Sequence, residues 1–172
     1  MGKKFPVIGI VGAHNSGKTT FIERVIKSLK EKGYKVIAVK HDPKGKAKTD
    51  TEGKDSYRFQ EAGADEVILV SPDKITTFTK QKKEEHPLEI VKKFSHLTPD
   101  IVILEGFKWY TGFDKFEVIR KEEKRDLLLK DSRELKGVIT DFYHYSPSFD
   151  INNPEEFVEF LIKEYIPTFP QE

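Results

Sequence analysis

The residues from Gly12 to Thr19 are the part of the chain whose types and spacing have the clearest chemical meaning. They read GAHNSGKT and fit the pattern GxxxxGK[ST]. In a loop of this kind, backbone N–H groups at a helix N-terminus surround a phosphate, the lysine reaches the β- and γ-phosphates, and the last hydroxyl binds Mg²⁺. The pattern therefore predicts that Lys18 contacts phosphate and takes part in catalysis, and that Thr19 is a metal ligand.

The rest of the loop is expected to bind the nucleotide mainly through its backbone. Glycine permits close approach to the phosphates and backbone conformations that a Cβ would obstruct. The predicted nucleotide-binding residues of the loop are Gly12, Ala13, His14, Asn15, Ser16, Gly17, Lys18, Thr19 and Thr20.

Two acidic residues follow apolar runs at the ends of predicted strands. Glu105 follows the run 101–104, and Asp141 follows the run 138–140. Because ligands of open α/β sheets bind at the carboxyl ends of the strands, both carboxylates are candidates for the same crevice. Glu105 could hold Mg²⁺, directly or through water, or orient an attacking water. The alternative is a carboxylate that merely terminates the strand.

Asp141 is a candidate for base recognition. A carboxylate can accept hydrogen bonds from guanine N1–H and N2–H₂, and adenine offers no such pair of donors. The NKxD signature of many GTP-binding proteins is missing here. Asp141 therefore has two interpretations, a guanine ligand or a solvent-facing turn residue.

The elements that position these residues alternate along the chain. A β-branched run at 6–11 precedes the loop, and apolar residues at helical spacing follow it as far as Gly33. Further strands are predicted at 35–40, 66–70, 100–104, 116–119 and 137–140, with an extra exposed strand at 76–79. Helices are predicted at 56–62, from Pro87, and from Pro154 after an Asn153 cap. The segment 120–126 is predicted to be a solvated connection.

This alternation predicts an α/β fold, a doubly wound and mainly parallel sheet of the P-loop NTPase type with helices on both faces. The length, 172 residues, predicts a single domain over residues 1–172. Thirty basic and 29 acidic residues leave a formal charge of +1, which argues against nucleic acid as a partner. No apolar stretch approaches a membrane span, and cysteine is absent, so we expect a cytoplasmic protein without membrane contact.

A more specific pattern lies in residues 40–64. It consists of Lys40-His41, Asp50, the run Gly53-Lys54-Asp55-Ser56 with Arg58, and Ala62-Gly63-Ala64. Together with the phosphate loop and Leu104-Glu105-Gly106-Phe107-Lys108, this block resembles the molybdopterin-guanine dinucleotide biosynthesis adapter protein B (MobB) family. The resemblance covers about residues 6 to 145.

The resemblance implies a GTP-binding protein with weak, Mg²⁺-dependent GTPase activity. It also implies a homodimer that assists the molybdenum cofactor guanylyltransferase, the enzyme that attaches GMP to molybdopterin. Molybdopterin itself is a second candidate ligand. The sequence departs from the family where a second histidine often follows the first, because Asp42-Pro43-Lys44-Gly45 stands there.

His41, Asp55, Ser56 and Arg58 are candidate ligand-binding residues independently of the resemblance. His41 follows a strand and begins the lysine-rich loop, residues 41–55. The others lie at the start of a predicted helix, where Arg58 could donate two hydrogen bonds to a phosphate. The structural alternative is that Ser56 caps the helix, Asp55 favours its dipole and Arg58 pairs on the surface.

Three functions remain open at this point. The first is a slow GTPase, in which Lys18 and Mg²⁺ stabilise the charge on the γ-phosphate. The second is a small-molecule kinase, whose acceptor would bind the lysine-rich loop. The third is a nucleotide-gated adapter without significant turnover. The sequence shows no identifiable glutamine to orient the attacking water and no arginine finger to stabilise the transition state, so slow turnover is expected.

Overall fold

The computed structural model describes residues 5–142 and 144–166. Its strands are β1 (Val7–Gly12), β2 (Val36–Lys40), β3 (Glu66–Val70), β4 (Ile75–Thr79), β5 (Ile101–Glu105), β6 (Asp114–Ile119), β7 (Leu135–Thr140) and β8 (Ser148–Asp150). Its helices are α1 (Lys18–Glu31), α2 (Asp55–Glu61), α3 (Pro87–Phe94) and α4 (Glu155–Glu164), with a 3₁₀ turn at Lys121–Glu123. No helix among the described residues is long and apolar enough to cross a membrane.

The chain forms two compact units. The first contains the residues up to His41 and those from His86 onward, and the second is Asp42–Glu85. The first unit holds the six-stranded sheet, in the order β2-β5-β1-β6-β7-β8, and every neighbouring pair is parallel. This order puts the strand that precedes the phosphate loop at the centre of the sheet.

Helices cover both faces of this sheet. Successive side chains of a strand point to opposite faces, so the packing of alternate residues of β5 shows which helix lies on each side. Ile101 and Ile103 of β5 pack in the cluster that includes residues of α1 and α4. Val102 and Leu104 of the same strand pack with Val91 of α3. The predicted doubly wound α/β fold is confirmed.

The second unit differs from the prediction in one respect. The predicted strand at 66–70 exists, but it pairs antiparallel with β4 in a separate two-stranded sheet and is not part of the main sheet. In β3 only Val67 is buried, and its exposed residues include Ile68 and Val70. A central strand of a parallel sheet is buried on both faces, and this hairpin strand is not.

Two further features of the first unit were not predicted. The edge strand β8 has three residues and adds to β7. The segment after β6 is only partly solvated: Lys121 and Glu122 are exposed, but the side chains of Glu123 and Arg125 are 15% and 20% exposed. Arg125 is covered because it pairs with the fully buried Glu117 of β6.

Candidate functional site

The predicted phosphate loop connects β1 to α1 at the carboxyl edge of the sheet. Asn15 and Gly17 have φ angles of 58° and 93°, and Gly17 is the N-cap of α1. A Cβ at Gly12 would stand 2.6 Å from the carbonyl oxygen of Val118, so the loop passes too close to β6 for any side chain there. The helix therefore begins directly after a tight turn. The N–H groups of its first turn have no partner within the helix, and this arrangement favours the binding of an anion.

Lys18 folds back onto this loop. Its ammonium donates to the carbonyl oxygen of Ala13, and it lies 3.3 Å from that of Gly12 and 3.4 Å from Ser16 Oγ. Burial lowers the pKa of Lys18, and the Glu105 carboxylate opposes that shift. The structure thus holds the predicted phosphate-contacting cation at the loop itself.

Thr19 and Glu105, the two predicted metal ligands, are in direct contact. Thr19 Oγ1 donates to Glu105 Oε1 at 3.0 Å, and Lys40 Nζ donates to the same oxygen at 2.9 Å. The register of the sheet explains this meeting, because Ile10 of β1 and Lys40 of β2 both stand opposite Glu105. Three adjacent strands and the start of α1 bring these groups to one point.

The donor set at this point fits Mg²⁺ bound together with a nucleotide. It offers one hydroxyl and one carboxylate, and no group of three acidic, histidine or cysteine residues suited to a metal occurs in the described part of the chain. Mg²⁺ usually takes one or two protein oxygens and completes its shell with water and substrate phosphates. The pair Thr19 and Glu105 matches that coordination preference.

His41 directly follows β2, as predicted, and the structure places it beside the end of β5. Its backbone N–H donates to the Glu105 carbonyl oxygen at 3.0 Å, and its ring stacks on Phe107 with 4.5 Å between centroids. Gly106 has a φ of 88°, and a Cβ there would stand 3.1 Å from His41 Cβ. In the segment that follows Glu105, Phe107 belongs to the core, whereas Trp109 is 75% exposed.

Asp141 follows β7 at the same edge, and its carboxylate already has two donors. Arg120 Nε donates to Oδ2 and the Lys121 backbone N–H donates to Oδ1, each at 2.8 Å. Burial acts to raise the pKa of Asp141, but these donors outweigh it and lower the pKa below its ordinary value. The carboxylate is ionised at neutral pH and has a fixed orientation.

Asp55, Ser56 and Arg58 belong to the second unit. Asp55 begins α2 and lies 3.6 Å from the Arg58 guanidinium in an exposed pair. Ser56 is the second residue of the helix, not its cap, and its Oγ donates to Asp50 Oδ1 at 3.2 Å. The surface-pair interpretation of Arg58 and the dipole interpretation of Asp55 match these contacts, and their role in ligand binding stays a prediction.

Two residues of the site were missed as candidates. Lys40 enters the sequence analysis only as part of a motif, and Arg120 begins the segment that is predicted to be a solvated connection. Both directly end or follow strands of the main sheet, β2 and β6. The strand-end rule that selected Glu105 and Asp141 applies equally to them and would have found them.

The order of the sheet, the loop after its central strand and the helices on both faces place the chain among α/β proteins with the fold of the P-loop NTPases. Its sequence matches, over residues 7–141, the profile of the family described as molybdopterin guanine dinucleotide synthesis protein B. The chain belongs to this family.

Individual relatives agree. The chain is 35% identical over 108 residues to the molybdopterin-guanine dinucleotide biosynthesis adapter protein of Haemophilus influenzae, a match that covers 63% of this chain and 60% of that one. It is 33% identical over 127 residues to a probable adapter protein of the same name from Bacillus subtilis, covering 73% and 72% of the two chains. The crystal structure of Bacillus subtilis MobB superposes with a TM-score of 0.71 at 28% identity, covering 94% of this chain and 98% of that one.

Proposed function

We propose that this protein binds GTP with Mg²⁺ at the loop 12–20, hydrolyses it slowly, and serves as an adapter for the enzyme that attaches GMP to molybdopterin. The single observation that carries the nucleotide part is the meeting of Thr19 and Glu105 at 3.0 Å beside Lys18. The names of the relatives, molybdopterin-guanine dinucleotide biosynthesis adapter proteins, support the adapter part.

The residues of the loop supply binding and charge stabilisation. Lys18, now bonded to loop carbonyl oxygens, is the cation that would turn to the phosphates. Mg²⁺, when bound, neutralises charge on the phosphate oxygens. In hydrolysis a water oxygen bonds to the γ-phosphorus while the bond to the β–γ bridging oxygen breaks, giving GDP and inorganic phosphate. We assign to Glu105 the role of holding the metal or of orienting that water.

The guanine preference is assigned to Asp141. Its side chain is 23% exposed, so a base can reach it. A carboxylate has about four lone-pair sites, and the two donors from Arg120 and Lys121 leave sites for guanine N1–H and N2–H₂.

A homodimer is part of the proposal, and the second unit supports it. Ile68, Val70 and Ile75 lie on one face of the β3–β4 hairpin and are 57%, 70% and 69% exposed. A two-stranded sheet is marginal in water unless something covers an apolar face. We assign that role to the same face of a second copy.

Calorimetry of GTP and ATP, with and without Mg²⁺, tests the nucleotide part. We expect GTP to bind more tightly than ATP, and Lys18→Ala to weaken GTP binding by about tenfold or more, because a hydrogen bond to a charged group contributes roughly 1.5–3 kcal/mol. Lys27→Ala, on the same helix but 78% exposed, is the matched control. Equal affinities for the two nucleotides would contradict the guanine assignment.

A reconstituted assay tests the adapter part. The purified guanylyltransferase converts molybdopterin and a guanine nucleotide to the dinucleotide, and we expect this protein to raise the yield. Glu105→Gln then separates the two modes of action. Continued assistance with hydrolysis lost indicates a nucleotide-gated adapter, whereas loss of both indicates that turnover is required. Label transferred from the γ-phosphate to a metabolite instead of water would contradict both and indicate a kinase.

A further inference from the structure

One guanidinium group joins the two parts of the site that would bind the base and the phosphates. Arg120 follows β6 and Asp141 follows the neighbouring strand β7. Arg120 Nε lies 2.8 Å from Asp141 Oδ2, and the next backbone N–H, that of Lys121, lies 2.8 Å from Oδ1. Each oxygen of the carboxylate is therefore held by a separate donor, and both donors come from one turn of chain.

The other end of the same guanidinium lies against the phosphate loop. Arg120 Nη1 is 3.7 Å from the position that a Cβ would take on Gly17. Gly17 is the last residue before the helix that follows the loop. A Cβ at Gly17 would be at ordinary van der Waals distance from this nitrogen, so the guanidinium lies next to the loop.

The turn that carries Arg120 is anchored to the sheet. The Arg120 backbone N–H donates to Glu123 Oε1 at 2.8 Å, and Glu123 Oε2 accepts from Arg125 at 2.7 Å. Arg125 also pairs at 2.7 Å with Glu117, which is fully buried in β6. Side chains whose supports are themselves fixed hold a site within the small tolerances that recognition needs.

We propose that Arg120 is a positioning residue for base selection, which fixes the Asp141 carboxylate in the orientation that accepts both N1–H and N2–H₂ of guanine, while its guanidinium lies beside the phosphate loop at Gly17. This inference rests on the proposed GTP site. Two parallel hydrogen bonds from one base require a particular orientation of the carboxylate plane, and a carboxylate already held in that orientation loses no rotational freedom when the base binds.

Inosine triphosphate is the probe that isolates this role, because it keeps the N1–H of guanine but lacks the 2-amino group. Calorimetry with Mg²⁺ measures GTP, inosine triphosphate and ATP on the wild type, Arg120→Gln, Arg120→Lys and Asp141→Asn. In the wild type we expect GTP to bind about tenfold more tightly than inosine triphosphate, since one charge-assisted hydrogen bond is lost.

Arg120→Gln should reduce this ratio of GTP to inosine triphosphate affinity to about threefold or less, because glutamine is shorter and neutral and cannot replace the charge-assisted hydrogen bond from Arg120 Nε to Asp141 Oδ2. Arg120→Lys should also reduce the ratio, since an ammonium lacks the planar geometry of the guanidinium. Arg133→Gln, an exposed arginine before the amino end of β7, is the matched control and should leave the ratio unchanged. Thermal denaturation identifies any variant that does not fold, and the lysine variant then carries the test.

The outcomes separate the inference from the proposed function. If the wild type prefers GTP, Asp141→Asn abolishes the preference and the Arg120 variants keep the full ratio, Arg120 is not a positioning residue and the GTP site stands. A uniform weakening of all three nucleotides in the Arg120 variants would likewise overturn the inference in favour of a general role. If the wild type has no preference for GTP, the guanine assignment fails, and this inference fails with it.

Discussion

Lys115 offers the strongest test of how the loop after β5 is supported. It lies within β6 and is only 2% exposed. Its ammonium donates to the carbonyl oxygens of Lys108, at 3.1 Å, and of Tyr110, and to Glu134 Oε2 at 2.7 Å. The two carbonyl groups belong to the segment that follows Glu105. One buried cation therefore ties that segment to the start of β7.

We expect Lys115→Met to lower the free energy of unfolding by about 2–4 kcal/mol. Removing one member of a buried pair costs roughly 3–5 kcal/mol, because the other is left uncompensated. Glu134 is 24% exposed, so water can reach it, which places the expected loss toward the lower end. For a chain of this size the melting temperature should fall by roughly 5–15 °C.

Thermal denaturation of Lys115→Met beside Lys136→Met measures this difference. Lys136 is 45% exposed and lies 3.8 Å from Asp114, so its loss should cost less than about 1 kcal/mol. If the two variants melt within about 2 °C of each other, the buried ammonium does not stabilise the segment as argued. Lys115→Met should also weaken Mg²⁺–GTP binding if the displaced segment moves Glu105.

The pH dependence of this stabilisation follows from Glu134. Burial acts to raise the pKa of Glu134, but hydrogen bonds from Lys115 and the Gly112 backbone N–H outweigh it and lower the pKa below its ordinary value. A carboxyl group whose pKa is lower in the folded state stabilises the fold above its unfolded pKa, and this stabilisation disappears as pH falls through the folded value. The difference between wild type and Lys115→Met should therefore be full near pH 7 and shrink below about pH 4.

Three other predictions concern the loop, the metal site and the hairpin. Gly12→Ala should reduce GTP affinity at least about tenfold in calorimetry, because the new Cβ would meet the Val118 carbonyl oxygen at 2.6 Å; unchanged affinity would contradict the described loop. Lys40→Met should raise the affinity of the nucleotide-free protein for Mg²⁺ by about two- to threefold, since this 64%-exposed lysine is bonded to Glu105 Oε1. A lower affinity would show that Lys40 and Mg²⁺ do not compete for that oxygen. Ile68→Lys should shift sedimentation toward monomer, whereas an unchanged dimer would place the interface elsewhere.

The sequence predicted the main sheet well because parallel strands buried on both faces are nearly continuous apolar runs. The run 101–104 became β5, and its four residues are fully or almost fully buried. The hairpin strand at 66–70 has the same composition but only one buried residue, so composition alone could not assign it to a separate sheet. The strand β8 has three residues, too few for any period to be recognised.

The prediction of site residues depended on one topological rule and was limited by how charged residues are interpreted. Glu105 and Asp141 were selected because each follows an apolar run. Arg120 follows such a run too, but it begins a highly charged segment, and charge runs are normally solvated. Lys115 escapes the prediction for a similar reason, since lysine is rarely buried and the apolar pattern of this strand begins only at residue 116.

At the carboxyl edge of the sheet, the two candidate carboxylates are each paired with a cation of the chain itself. Lys40 pairs with Glu105 and Arg120 pairs with Asp141. A metal ion alone would have to displace the lysine from Glu105, and a nucleotide alone would leave that carboxylate near its phosphates. A Mg²⁺–nucleotide complex brings charge of both signs. The metal ion can then replace Lys40 as the partner of Glu105, and the phosphates can replace Glu105 as the partner of Lys40. On the proposed function, metal and nucleotide should therefore bind with positive coupling, each raising the affinity for the other by the same factor.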